Sequence, residues 1–292
     1  MTKPMLLAEF TRLPPASRAC PLDGLSAAID LVAQSAPHSH RFLRYQYYAA
    51  ALALHGGAAR TMLVEHDGNA VIALPFVRIG PAAARLATVP GVDAPFRGFP
   101  AAHDAPDAAF DTLVDALSGE LNALRIGPVG EDDAAFAALR AAVARRGWIA
   151  LERPVPETPL PSAVDAAGGD ERLLDGVALM AGGFDALARV EDGAALAFWR
   201  DAAADSVLAA MMSAAVAPCD DSPATFTLHL DAGGTRHVIA RGGGAASVPG
   251  AGAAMRDWLL VRPGLPALLG RVLAGLWLRR PVDQASPAWS GG

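Results

Sequence analysis

The chain has 292 residues, 52% of them apolar, with 24 Lys plus Arg against 30 Asp plus Glu and a net charge of −6, which is long enough for one large domain or two smaller ones with real cores. The acidic balance argues against a broad nucleic-acid surface, which needs clustered cations. Lys3 is the single lysine, which excludes an internal Schiff base, pyridoxal phosphate attachment and a Walker-type phosphate loop, while Cys20 and Cys219 have neither metal-ligand nor disulfide-framework spacing.

Residues 5–10 predict a first strand. Their apolar run, broken by Glu9, is too short for a signal-peptide core, and the cysteine usage fits a reducing cytoplasm. After Pro14-Pro15, helices are predicted over 22–33 and 39–54. The second carries Phe42, Tyr45, Tyr48 and Leu52 at three- and four-residue steps, the period of one buried helical face, and Tyr47 off that stripe is expected to be exposed. Residues 61–66 and 70–78 read as strands joined by Asp67-Gly68-Asn69, residue types that tolerate positive φ, and so predict a β-hairpin. A third strand over 85–90 leads into a loop, residues 91–100, that sets Asp93, Arg97 and the aromatics Phe96 and Phe99 among turn formers; such loops commonly carry function. An amphipathic stretch at 107–124, a short strand at 124–126 and a helix over 132–146 stopped by Gly147 follow, which is an α/β order.

Residues 152–169, with Pro154, Pro156, Pro159 and Pro161 among Asp, Gly and Ala, predict an extended connector. Beyond it, helices are predicted over 173–187 and 194–215. A second hairpin, 225–231 and 236–240, turns at Ala232-Gly233-Gly234, so each half holds one and an internal repeat is suggested. Residues 253–260 and 265–278 read as helices and 281–292 as a loose tail. The 265–278 segment is shorter than the ~20 residues that cross a bilayer, so no membrane span is expected. With Arg279-Arg280 behind it, it is either a core helix with cations at its C-terminal end or a helix resting on an anionic membrane surface.

The strand ending Leu74-Pro75-Phe76-Val77-Arg78, the Asp-Gly turn before it, and the loop with Asp93 and Phe96-Arg97-Gly98-Phe99-Pro100 resemble the first lobe of the cellulose-biosynthesis-type acetyltransferases. Arg125-Ile126 and Gly147-Trp148 extend the likeness over roughly the first half of the chain. That family belongs to the GNAT superfamily of N-acetyltransferases, near the Fem-type peptidyltransferases. The resemblance implies an α/β (α+β) fold of two GNAT-like lobes, mixed sheets with flanking helices, the second lobe truncated. The corresponding division is a first lobe at 1–152, a connector at 153–169, a second lobe at 170–280 and a tail at 281–292.

The resemblance also implies an acyltransferase with acetyl-CoA or another acyl-CoA as co-substrate and no metal. The acceptor would be an amine or hydroxyl on a small molecule or glycan, in bacterial polysaccharide assembly. GNAT enzymes hold the cofactor pyrophosphate on backbone amides in the pattern Arg/Gln-x-x-Gly-x-Gly/Ala, because exposed amides form a natural anion site. Arg241-Gly242-Gly243-Gly244-Ala245-Ala246 fits that pattern directly after a strand, which gives Arg241, Gly242, Gly243 and Gly244 as cofactor-binding residues; a chance match in a Gly/Ala-rich turn is the plain alternative. His237, one strand-length earlier, is the candidate catalytic base, and His229 on the facing strand is the second; each also reads as a half-exposed packing residue. Asp93, Arg97 and Phe99 are the implied acceptor-binding residues, with Asp93 and Arg97 expected partly exposed and facing the second lobe, against a turn-stabilising Asp and a solvated Arg. The other function class is a GNAT-like protein that has lost catalysis and serves as a binding or scaffold subunit, motivated by the short second lobe. No serine-nucleophile elbow, paired His-Glu metal motif or dinucleotide fingerprint occurs.

Overall fold

Apolar runs bounded by Gly, Pro and Asp organise the chain into two sheets in the computed structural model, which describes residues 17–92, 96–130, 132–155, 172–191, 193–219, 222–243 and 255–264. Strand β1 (Ser17–Asp23) is followed by helices α1 (Ala28–Ser35) and α2 (Tyr45–His55), then by β2 (Ala59–His66), β3 (Asn69–Ile79) and β4 (Leu86–Thr88). Each of these strands pairs antiparallel with the next. Helix α3 (Asp107–Glu120) crosses over to β5 (Ala123–Gly130), which runs parallel to β4, and α4 (Ala134–Arg145) leads to β6 (Ile149–Pro154).

The same plan then repeats. Strand β7 (Arg172–Asp175) precedes a helical stretch made of α5 (Gly176–Ala178), a π-turn (Leu179–Gly183), α6 (Phe184–Ala188), α7 (Ala194–Ala202) and α8 (Ser206–Ala210). Strands β8 (Met212–Cys219), β9 (Ser222–Ala232) and β10 (Thr235–Gly242) complete a four-stranded antiparallel sheet in the order β10-β9-β8-β7. The chain finally returns to the first sheet as β11 (Met255–Val261), inserted antiparallel between β5 and β6, so that the seven-stranded order is β1-β2-β3-β4-β5-β11-β6. This mixed α/β architecture of two sheets with flanking helices is the expected fold class, and a unit of strand, helices and three-stranded meander does occur twice, although the two predicted hairpins are different steps of it: the first is β2–β3, and the second, β9–β10, is the counterpart of β3–β4.

One apolar core joins both units. Tyr47 on α2 meets Phe198 edge-on at 5.3 Å and lies 6.0 Å from Trp199, both on α7. At the same junction, Arg44 Nε donates to Asp205 Oδ2 at 2.6 Å, while the other oxygen of Asp205 accepts from the first amides of α8. Tyr47 is therefore fully buried rather than exposed: its face of α2 is covered by a helix more than 140 residues away, roughly a domain's length of chain, while Tyr45 of the expected stripe is 38% exposed. Among the described residues no helix is long and apolar enough to cross a membrane.

Several elements differ from the expectation. Residues 22–23 end β1, so the helix predicted over 22–33 begins only at Ala28, and the one predicted over 39–54 begins at Tyr45 after a 3₁₀ turn, His38–His40. The helix predicted over 173–187 opens as strand β7, and the one over 194–215 breaks at Asp205 and gives way to β8. Residues 253–260, read as a helix, carry β11. Apart from the late start at Tyr45, where a 3₁₀ turn and not a strand intervenes, pairing with a neighbouring strand outweighs local helix preference, which is worth only tenths of a kcal/mol per residue. Glu152, Arg153 and Pro154 of the expected connector belong to β6, an edge strand; residues 156–171, 1–16 and 265–292 lie outside the described residues.

Candidate functional site

Strand β10 is an edge. It pairs with β9 on one side and with no other strand among the described residues, so its outer row of amides and carbonyls is open for pairing. Its register slips between Val238, opposite His229, and Ala240, opposite Leu228, which makes Ile239 a bulged residue. A bulge leaves one residue unpaired and re-aims the strand. Immediately beyond, a Cβ on Gly242 would run into the Phe226 ring and Glu191 Cβ, and Gly243 has φ +83°, a left-handed conformation that favours glycine. The Gly243 amide is aimed outward and already holds an anion: it donates to Glu191 Oε2 at 3.2 Å. Arg241 is half-buried beside it, burial pushing its guanidinium below the ordinary arginine range. Gly244 lies outside the described residues.

His237 precedes the bulge by two residues and sits opposite Leu230; His229 sits opposite Val238. Because side chains alternate along a strand, the two imidazoles lie on opposite faces of the sheet. Burial lowers the pKa of both below the ordinary 6.5; for His229 the charges of Arg236 and Arg241 add to that, while Asp231 opposes it for both. Both are neutral at pH 7, as a proton acceptor must be. On His229's own face, Ser213 is its direct neighbour on β8, and Ser213 Oγ and His229 Nδ1 are buried without a partner among the described residues.

These depressed values make stability depend on pH. As pH falls below 6.5 the unfolded chain takes up protons before the folded one does, so stability is fully present above 6.5 and is lost as pH drops toward the folded values. Urea midpoints should fall between pH 7.5 and pH 5.5, above the ordinary carboxylate range (~4), and the fall should be shallower in His229→Gln. A midpoint that stays flat in the parent would count against neutral, desolvated histidines.

The loop at residues 91–100 is stitched into the first sheet. Val89 N bonds Arg125 O, then the chain leaves the sheet and returns, with Arg97 N donating to Pro128 O at 2.7 Å and Ala101 bridging Ile72. Residues 97–102 thus resume the line of β4 between β3 and β5. The excursion is pinned by Tyr47, whose hydroxyl accepts from Val92 N at 3.2 Å and donates to Phe96 O at 3.3 Å, and Tyr48 donates to Gly98 O at 2.9 Å. Arg97 is consequently 5% exposed, not partly open as expected, and Phe99 is 1% exposed within the core. Asp93 lies outside the described residues.

A cleft of about 760 Å³ opens where the two units meet. Its walls are His38 and Arg41 from the turn before α2, Ser206, Val207, Ala210 and Met211 of α8, and Asp231, Gly233 and Gly234 at the β9–β10 turn. Sequence reading did not single out Arg41 or His38, because nothing local marks them; only the packing of α2 on α7 brings their turn against a hairpin far along the chain. Among the described residues no group of His, Cys, Asp and Glu could hold a metal.

No protein-family model matches this chain, and no curated protein matches it in sequence. Solved structures are similar at low identity. A tandem GNAT protein from the clavulanic acid biosynthesis pathway, solved without AcCoA, is 15% identical over 76% of this chain and 79% of its own, with a TM-score of 0.30. A conserved protein of unknown function from Enterococcus faecalis V583, described as a "Probable N-Acyltransferase", is 11% identical over 76% of this chain and 57% of its own, with a TM-score of 0.28.

Proposed function

We propose that the protein is an acyltransferase of the GNAT type that takes its acyl group from acetyl-CoA or another acyl-CoA laid along β10. The observation that carries this is the sequence of features on one strand: an open edge, a bulge at Ile239, and a glycine turn directly after it, with neutral His237 two residues before the bulge. An extended arm with its own amides can add to an open strand edge as a further strand does. The unpaired amide at a bulge is a donor for a thioester oxygen as it gains charge, and the glycine turn offers amides to phosphate. The acceptor nitrogen or oxygen attacks the thioester carbonyl carbon and loses its proton to His237. The C–S bond breaks, and the sulfur leaves as thiolate, which takes up a proton to give the free thiol. The products are an amide or ester and CoA. Residues 74–78 and 96–100, by their resemblance, support an amine or hydroxyl on a glycan precursor as acceptor, in the bacterial cytoplasm.

A second reading, a binding subunit without catalysis, is favoured by one contact: the Glu191 carboxylate on the Gly243 amide occupies the place a phosphate oxygen would take. Calorimetric titration with acetyl-CoA separates the two. Binding is expected in the parent. Glu191→Gln, which removes the competing charge from an exposed contact, should tighten it by about threefold to tenfold, the equivalent of ~1 kcal/mol. Absence of binding in both proteins would discard the enzyme reading and leave the binding subunit.

A further inference from the structure

We propose that the cleft between the two units is a binding site for a small carboxylate or phosphate whose apolar body lies on α8, with Arg41 as the anion anchor. Arg41 Nε is buried and has no hydrogen-bond partner, and Arg41 makes no ion pair among the described residues. Arg41 as a whole is only half-buried on the cleft wall, and a permanent cation so placed with no carboxylate among the described residues paired to it is a ready anchor for an acceptor that arrives from outside. His38 stands on the same wall as a second donor, and the exposed turn at Gly233-Gly234 faces it across the opening. The one carboxylate on the wall, Asp231, is engaged in two bonds to Arg236, at 2.8 and 2.9 Å, so it neither neutralises Arg41 nor leaves a free negative charge to repel the ligand.

The rest of the cleft says what the anion is attached to. Val207, Ala210 and Met211 present an apolar strip beside Arg41, and Val207 is 45% exposed although it is aliphatic. A bare ion would leave that strip wet; a short aliphatic chain bearing the charge would cover it. Met211 also fixes the floor, since its carbonyl accepts the Asp231 amide at 2.8 Å, and the next cross-strand pair along the same sheet face is Ser213 with His229, whose Oγ and Nδ1 are buried without a hydrogen-bond partner among the described residues. The polar wall therefore continues behind the anchor. This site is separate from β10's outer edge and stands whether or not an acyl-CoA binds there.

The test is a titration followed by backbone amide chemical shifts, with butyrate, its neutral isostere butyramide, methyl phosphate and inorganic phosphate as probes. Butyrate and methyl phosphate are expected to shift Gly233, Gly234 and Met211, with butyramide at least about tenfold weaker than butyrate, because a charge-assisted bond to a guanidinium is what distinguishes them. Inorganic phosphate, lacking the apolar part, should bind more weakly than methyl phosphate. Arg41→Gln should abolish the discrimination between butyrate and butyramide. Val207→Glu, on the exposed part of the apolar strip, places a negative charge in the cleft, should weaken both anions without altering the fold and serves if Arg41→Gln does not fold. Acetyl-CoA titrated into Val207→Glu should bind as in the parent, which keeps this result distinct from the function proposed above. Equal shifts with butyrate and butyramide, shifts confined to residues elsewhere, or unchanged anion binding in Val207→Glu would each overturn the proposal.

Discussion

Replacing Asp257 with Ala is expected to cost about 3–5 kcal/mol of stability, a large part of what a domain of ordinary stability has. Asp257 is 1% exposed on β11, and its two oxygens accept from Arg125 Nε at 3.2 Å and Nη2 at 2.8 Å on β5 and from Arg153 Nη2 at 2.9 Å on β6. The carboxylate thus ties together three adjacent strands, the middle one arriving more than 100 residues after its neighbours, roughly a domain's length of chain. Truncation removes the buried anion that these two partly buried guanidiniums share, and losing one member of a buried charge cluster is what makes the change severe. Asp257→Asn keeps the shape and some of the bonds and should fall between parent and Ala. The exposed Arg146–Asp115 pair is the internal comparison: it is shorter, 2.6 Å, yet Asp115 stands 58% open to solvent, and Asp115→Ala should cost no more than about 1 kcal/mol. Urea melts of the three variants give the order directly. A cost for Asp257→Ala no larger than for Asp115→Ala would mean that β11 is held by its apolar face alone.

The parts of the fold that were legible in sequence are those punctuated locally. Asp67 and Gly68 at φ 52° and 80° turn the first hairpin, Gly233 and Gly234 at 62° and 80° turn the second, and Gly147 at 72° ends α4. What was not legible is what distant pairing decides. Strand β11 reads Trp-Leu-Leu-Val because both of its faces are covered, and a continuous apolar run has no period by which to tell a strand from a helix. Strand β8, Met-Ser-Ala-Ala-Val-Ala, has the alanines of a helix and becomes a strand because β7 and β9 lie on either side of it. The same holds for the sites. The glycine turn after β10 could be found from composition, whereas the burial of Arg97 and Phe99 follows from the chain re-entering the β3–β5 gap, and the exposure of Arg41 to a cleft follows from α2 meeting α7; neither leaves a local mark.

His237→Gln is expected to lower the turnover of CoA release from acetyl-CoA, with glucosamine as acceptor, by about 10²- to 10⁴-fold, the usual contribution of a positioned general base, while leaving acetyl-CoA affinity unchanged. The imidazole lies two residues ahead of the Ile239 bulge, close enough along the strand to meet an acceptor attacking a thioester held there, and too far from Gly243 to touch the phosphates. Burial keeps its pKa below 6.5. The parent's kcat/KM should therefore be level above that value and fall on the acid side as His237 takes up a proton, and the variant should lack this acid limb altogether. A purely structural role would instead lower stability and rate together and leave the limb in place. His229→Gln tests the alternative base: it is buried on the other face of the sheet, so its loss should weaken the fold while the acid limb persists. If the limb survives in His237→Gln and disappears in His229→Gln, the acceptor approaches from the face that carries Ser213 and Asp231, and the roles of the two histidines are exchanged.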